Sequence, residues 1–365
     1  SILAERLRSA SSPAEASRAV VGFARRKLRP PRPAPPPSGR ADPESPPVVR
    51  YVGWAGHDNL GDEALLEAVT RLLPWGEVRT KGPGDLLLLG GGTLVNRANY
   101  LEWLRLQDSP RIERAVYGTG VANPAYWGLN EPAAEWVEFL STCCYVGVRG
   151  PTSAETLRSW GYRGRLEVVG DPALALILGE PVDRLPDRVA LSPCWAAGEL
   201  WGGSDQAVFD ALAVLVKQLR ADGREVVMLS CFPADDRPIF EMMRAAGEPD
   251  LPYLAGYAAP EEALRLLASS RLVVGERLHA CVLAAAVGTP FVGIEYRPKV
   301  ADFARSVDQE SFVVRSDELS GPALPDRLRE LEARWDEAAG LIAIRVDEYR
   351  GRLRAASEEI REVLG

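Results

Sequence analysis

GERLHACVLAAAVGTPFVGIEYRPK, running from Gly275 to Lys299, reads as a strand end, a polar turn, a short apolar helix, a second strand and a closing loop with two cations. A βαβ unit of this kind sets its charged turns at the carboxyl ends of parallel strands, where open α/β sheets bind ligands. The first turn carries Glu276, Arg277 and His279, and the second carries Arg297 and Lys299. His279 is one of only two histidines in 365 residues. The apolar run between the turns, Ala280 to Val287, has the composition of a helix packed on a sheet. Polar chemistry is thus gathered where a ligand would sit.

The same alternation extends in both directions. Upstream, VALSPCW from Val189 and EVVMLS (Glu225 to Ser230) read as strands. Helices are expected at Asp205 to Ala221, from Arg237 to Ala246 and at Glu261 to Leu267, with a short strand near Tyr253-Leu254. Further upstream, strands are expected at VVRYVGW from Val48, at Asp85 to Leu89, at Ala115 to Val121, at Tyr145 to Arg149 and at Leu166 to Leu174. Helices at Glu63 to Leu73 and Ser153 to Trp160 separate them. Strands alternating with helices predict an α/β fold with parallel sheets. Three glycines, Gly90-Gly91-Gly92, follow the second of these strands and permit a tight turn and a close backbone approach to a ligand. They match neither a P-loop nor a GxGxxG fingerprint.

The ends differ from this core. Residues 1–47 read as a short helix to about residue 28, basic at its end with Arg25, Arg26, Lys27 and Arg29, and then a proline-rich linker ending at Pro47 that cannot be helix or central strand. Peripheral contact with an anionic membrane and a solvated leader are both readings of that segment. Residues 324–365 are helical and charged, and Leu331, Trp335, Leu341, Ile342 and Val346 give them an apolar face that predicts packing back across the fold. Net charge is −8, which argues against nucleic acid as a partner. The five cysteines lie at irregular spacings without CxxC, as small buried hydrophobes of a reducing cytoplasm. No metal site is expected, and no apolar run is long enough to cross a bilayer.

Several stretches together resemble the polysaccharide pyruvyltransferase family: NLGDEALLEA (Asn59 to Ala68), LLLLGGGTL, VGVRGPTS, VVGDPAL and ERLHACVLAAAVGTPFVGIEYRPKV. The resemblance covers roughly Val48 to Val314. It implies two Rossmann-like domains facing a cleft, an architecture like that of GT-B glycosyltransferases, here over residues 48–182 and 183–323. It also implies a phosphoenolpyruvate donor, a sugar or glycan acceptor (nucleotide- or lipid-linked), a pyruvate ketal product and no cofactor. A cytoplasmic enzyme, placed at the inner membrane face by its basic leader, would fit such an acceptor.

The residue chemistry agrees with that implication. Phosphoenolpyruvate carries a carboxylate and a phosphate, so its site needs converging cations, and arginine meets either group with two parallel hydrogen bonds. Arg149, Arg277 and Lys299, with Leu278 and the turn Gly91-Gly92-Thr93, are the donor-binding candidates. His279, with a free pKa of about 6.5, is the candidate general acid or base, and Arg277 its catalytic partner. His57, Asn59, Asp62, Trp195, Glu295 and Arg297 are the acceptor-binding candidates. Structural readings stand beside these. Arg277 could pair with Glu276, Asn59 and Asp62 could serve a helix start, and His57 could be an ordinary loop residue. The loop with Trp195, Trp201, Gly202 and Gly203 departs from the polar loop the resemblance leads one to expect, and could stack on a sugar or form a packed lid. A nucleotide-sugar glycosyltransferase and a non-catalytic carbohydrate-binding member are the rival functions, since fold does not fix function.

Overall fold

The computed structural model describes residues 45–97, 100–108, 112–129, 132–319 and 322–364. The basic N-terminal segment and most of the proline-rich linker lie outside the described residues. Two wholly parallel sheets make the fold. The first contains β1 (Val48–Val52), β2 (Glu77–Arg79), β3 (Leu86–Gly90), β4 (Thr93–Val95), β5 (Glu113–Val121), β6 (Tyr145–Val148) and β7 (Glu167–Val168). Its order is β2-β1-β3-β5-β6-β7, with β4 paired to the end of β5. The second contains β8 (Leu185–Ser192), β9 (Glu225–Leu229), β10 (Tyr253–Leu254), β11 (Ser270–Gly275), β12 (Phe291–Glu295) and β13 (Val313–Arg315), in the order β10-β9-β8-β11-β12-β13. The central strand β3 is buried at every position, as a continuous apolar run with helices on both faces should be.

In each sheet the winding reverses once, between β1 and β3 and between β8 and β11. These reversals open a crevice beyond the strand ends, the general ligand position of doubly wound sheets. The loops after β1 and β3 hold Asp58-Asn59 and Gly91-Gly92, with Asp62 in the first turn of the helix that follows β1, and those after β8 and β11 hold Cys194-Trp195 and Glu276-Arg277.

Three expectations change, one of them simply: the helix expected from Arg237 begins at Pro233, whose fixed φ suits a first helical position. The helix after β1 starts at Leu60, three residues earlier than its apolar pattern suggests, because the Asn59 side chain accepts from Gly61 N–H at 3.0 Å. The Leu60 N–H itself donates to the Cys231 carbonyl of the other domain at 2.8 Å. The expected strand Leu166 to Leu174 is reduced to two residues, and Asp171 instead caps a 3-10 turn, Pro172–Ala175. Asp-Pro at a cap and first helical position is the signal that outweighed the apolar run.

The halves are docked through an apolar core. Leu60, Leu65, Ala173 and Leu174 of the first half pack with Ala280, Leu283 and Ala284 of the helix Leu278–Ala286. The C-terminal helices Ala323–Ala333 and Trp335–Leu364 pack back, as their apolar face predicts. Ile342, Val346 and Tyr349 join the core between the halves, while Leu353, Ala356 and Ile360 cover the first sheet. Arg350 donates to the carbonyls of Leu174 and Ala286, both at 2.8 Å, and so ties the two halves together.

Candidate active site

The helix Leu278–Ala286 is buried at every residue except one, and the exception is His279. An apolar helix N-terminus sunk between two domains thus presents a single imidazole to the crevice. The ring is held from both sides. A methyl group at Gly61 would lie 2.0 Å from His279 Nδ1, so only glycine lets the helix Leu60–Leu72 start against it. On the other side, Nε2 stands 3.6 Å from Asp171 Oδ2. Asp171 is fully buried at its side chain, and its Oδ1 accepts from Ala173 N–H at 3.0 Å. Burial would raise its carboxyl pKa, but His279 and Arg149 together hold it below the usual range.

Arg149 follows β6 and crosses the glycine turn after β3. Its Nη1 donates to the Gly92 carbonyl and its Nη2 to Thr93 Oγ1, each at 3.1 Å, with Asp171 Oδ2 at 3.9 Å from Nη1. Gly91 and Gly92 adopt φ of +63° and +67°, the left-handed conformation that favours glycine; the Gly92 carbonyl meets Arg149 and the Gly91 carbonyl accepts from Thr119 Oγ1 at 3.1 Å. Thr93, Arg149, Trp127, Arg297 and Lys299 line one open cavity between the domains.

Lys299 is the most exceptional cation of the group. It opens the helix Lys299–Ser306, where the helix dipole disfavours positive charge. Among the described residues no carboxylate lies within ion-pair distance of it, and burial followed by Arg297, Arg277 and Arg149 pushes its pKa well below the ordinary lysine value. Asp62 acts on it favourably from the first domain, and burial lifts the Asp62 carboxyl to about 6. Beyond Lys299, Arg97 and Arg297 flank Trp127, with guanidinium carbons 4.2 and 4.9 Å from its ring centroid. Arg297 is also bonded to Glu199 Oε2 at 3.0 Å. The arrangement offers a compact polyanion the cations Arg149 and Lys299, with Asp62 close enough to interact with both Lys299 and His279.

Other predicted residues are placed differently. Arg277 does not reach the cavity as a free cation. Its Nε and Nη2 bond Asp236 Oδ1 at 2.9 and 2.6 Å, and Nη2 bonds Asp235 Oδ2 at 2.8 Å. The partner is therefore not Glu276, which is buried, accepts from Cys194 N–H at 2.7 Å and is pushed by burial up to about 8. The Leu278 side chain lies in the apolar core, leaving its backbone alone near the crevice. Trp195 packs against the core of the second domain, away from the cavity lining. Glu295 ends β12 beside Arg315, on the side of the sheet away from β8. His57 is exposed, stacks on Trp54 at 4.2 Å between centroids and bonds the Trp54 and Ala55 carbonyls, and Asn59 caps its helix.

Sequence reading alone missed Asp171, the pair Asp235-Asp236, Arg97 and Trp127. Asp171 carried a local signal, since a cap followed by proline ends a strand. Asp235 and Asp236 look like an acidic first turn of the helix Pro233–Ala245, which hides their contact with Arg277 forty residues on. Nothing local marks Arg97 or Trp127.

A family model described as polysaccharide pyruvyl transferase matches residues 59–298, a span that begins at Asn59 and contains every residue of the His279 environment except Lys299. The chain belongs to the polysaccharide pyruvyl transferase family. No curated protein sequence matches it. Among solved structures, Anabaena Alr3699/HepE in complex with UDP-glucose is similar at a TM-score of 0.53 and 12% identity, covering 87% of this chain and 99% of that one. A putative UDP-N-acetylglucosamine 2-epimerase from Listeria monocytogenes is similar at a TM-score of 0.51 and 12% identity, covering 81% and 90%. At such identities the likeness is one of fold, and it places this pyruvyl transferase among GT-B-like architectures with two parallel sheets. No helix among the described residues is long and apolar enough to cross a membrane.

Proposed function

We propose that this pyruvyl transferase uses phosphoenolpyruvate as donor and forms a cyclic ketal on two hydroxyls of a sugar acceptor, releasing phosphate. The observation that carries the donor is Lys299. It is a half-buried lysine among three arginines at a helix N-terminus, with no carboxylate in ion-pair range among the described residues. Such a position is electrostatically unfavourable until an anion arrives, and phosphoenolpyruvate brings a carboxylate and a phosphate together. Arg149, fixed on Gly92 and Thr93, supplies a preorganised second cation.

In the reaction a proton is added to the methylene carbon of the donor, which becomes a methyl group, and C2 turns electrophilic. One sugar hydroxyl attacks C2 and gives up its proton. The C2–O bond to phosphate then breaks, phosphate departs against the cations, and the second hydroxyl closes the ring with loss of its own proton. Asp62, at about 6, can give and take a proton near neutrality, and the His279 imidazole supplies the ring nitrogens for the same exchange. Arg277, neutralised by Asp235 and Asp236, frames the turn that presents His279.

The test is phosphate release from phosphoenolpyruvate across a panel of free, nucleotide-linked and lipid-linked sugars. Release that requires both substrates is the expected result. A protein that binds uridine diphosphate but not phosphoenolpyruvate, and releases no phosphate, would instead be a nucleotide-dependent enzyme.

A further inference from the structure

The contact between Asp171 and His279 joins the two domains at the one residue of the helix Leu278–Ala286 that is not fully buried. Of the ring nitrogens, only Nε2 is both buried and without a hydrogen-bond partner, and Asp171 Oδ2 is its mirror image, buried and equally unpartnered. The two orphan atoms face each other at 3.6 Å. That is just beyond hydrogen-bond range, a separation that catalytic pairs commonly close when substrate is bound. The carboxylate cannot turn away, because Oδ1 is engaged by Ala173 N–H. Nor can the ring, with Gly61 against Nδ1. The other charged group acting on this ring is Asp62, from the helix Leu60–Leu72, while Lys299 acts on Asp62 and Arg149 on Asp171.

We propose that Asp171 is the positioning residue of His279: it accepts the Nε2 proton and thereby makes Nδ1 the nitrogen that exchanges protons with substrate. This rests on the reading of His279 as the proton-transfer group. Its consequence is that the working tautomer exists only while the two domains are docked, since the carboxylate belongs to one and the imidazole to the other. An Asp–His pair of this kind acts by fixing tautomer and orientation, as in serine hydrolases on unrelated folds.

The chain has only two histidines, so nitrogen-15 NMR of histidine-labelled protein resolves both rings, and His57→Gln assigns them. At a pH where the nitrogen-15 shifts themselves show the ring to be neutral, wild-type His279 should be the Nε2–H tautomer. Asp171→Asn keeps the cap, because asparagine serves a helix start as well as aspartate does. With its oxygen still on Ala173 N–H, it turns an amide N–H toward Nε2, so His279 should switch to the Nδ1–H tautomer. In parallel, kcat for phosphate release should fall on the order of 100- to 10,000-fold, with KM for phosphoenolpyruvate changed by less than about threefold. A wild-type ring in the Nδ1–H form, or an Nε2–H tautomer retained in Asp171→Asn, overturns the proposal. The tautomers are read without turnover, so a wrong donor would silence the kinetic arm and leave the NMR outcome unchanged.

Discussion

The two crevice walls solve their electrostatics in opposite ways. In the second domain, Arg277 is satisfied within the protein: Asp235 and Asp236 take its fork, and Asp236 is further held by the Cys231 and Phe232 N–H groups at 2.7 and 2.6 Å. Around Lys299, where that domain's helix Lys299–Ser306 meets Arg149 of the first, charge is unbalanced. A motif cation that looks like a ligand group can therefore be paired within the protein, while a lysine at a helix start is left with no carboxylate in ion-pair range among the described residues. The difference lies in which carboxylates the fold brings near, and sequence separation conceals that.

Substitution at the two cations should separate stability from binding. Arg277→Ala leaves Asp236, 1% exposed, without its counter-charge, and breaking a buried pair in this way costs about 3–5 kcal/mol. Denaturant unfolding should show that loss. Lys299→Ala removes repulsion instead, so its unfolding midpoint should stay level or rise, while donor affinity falls. If the two variants lose equal stability, the contrast between the walls is gone.

A pH series sharpens the same comparison. Burial raises Glu276 from 4.5 in the unfolded chain to about 8. The folded state then binds more protons than the unfolded one between those values, so stability falls as pH rises across that window. Glu276→Gln should flatten this slope and raise stability at pH 8 by up to a few kcal/mol. Asp62, raised from 3.8 to about 6, gives the same sign over its narrower window, and Asp62→Asn should remove that part. A slope that survives both substitutions would mean that other groups carry it.

Smaller effects belong to the glycine turn and the mouth. A methyl group at Gly120 would lie 2.7 Å from Arg149 Nη2, so Gly120→Ala should displace that arginine and weaken donor binding about tenfold in titration. His57→Ala, at an exposed ring tied to its own loop, should change donor affinity less than about twofold.

The alternation of apolar strands and helices made the two parallel sheets legible, and the apolar stripe Ile342-Val346 made the returning C-terminal helix legible. Local periodicity reports burial, and burial is what those elements share. The turns carrying Arg149, His279 and Lys299 were legible because glycines and charges follow strand ends. What each charge faces was not. Arg277 and Asp236 are 41 residues apart, and His279 and Asp171 belong to different domains. The packing of Trp195 and Leu278 was hidden for a related reason, since an apolar side chain beside a polar turn can point either way and here packs inward.

The most direct measurement is a calorimetric titration of phosphoenolpyruvate into the wild type and Lys299→Ala. Saturable binding to the wild type, weakened about 10- to 150-fold by loss of one charge-assisted contact, is the predicted result. Equal affinity in both proteins, or no binding to the wild type, would contradict the assignment of the unbalanced cations to the donor.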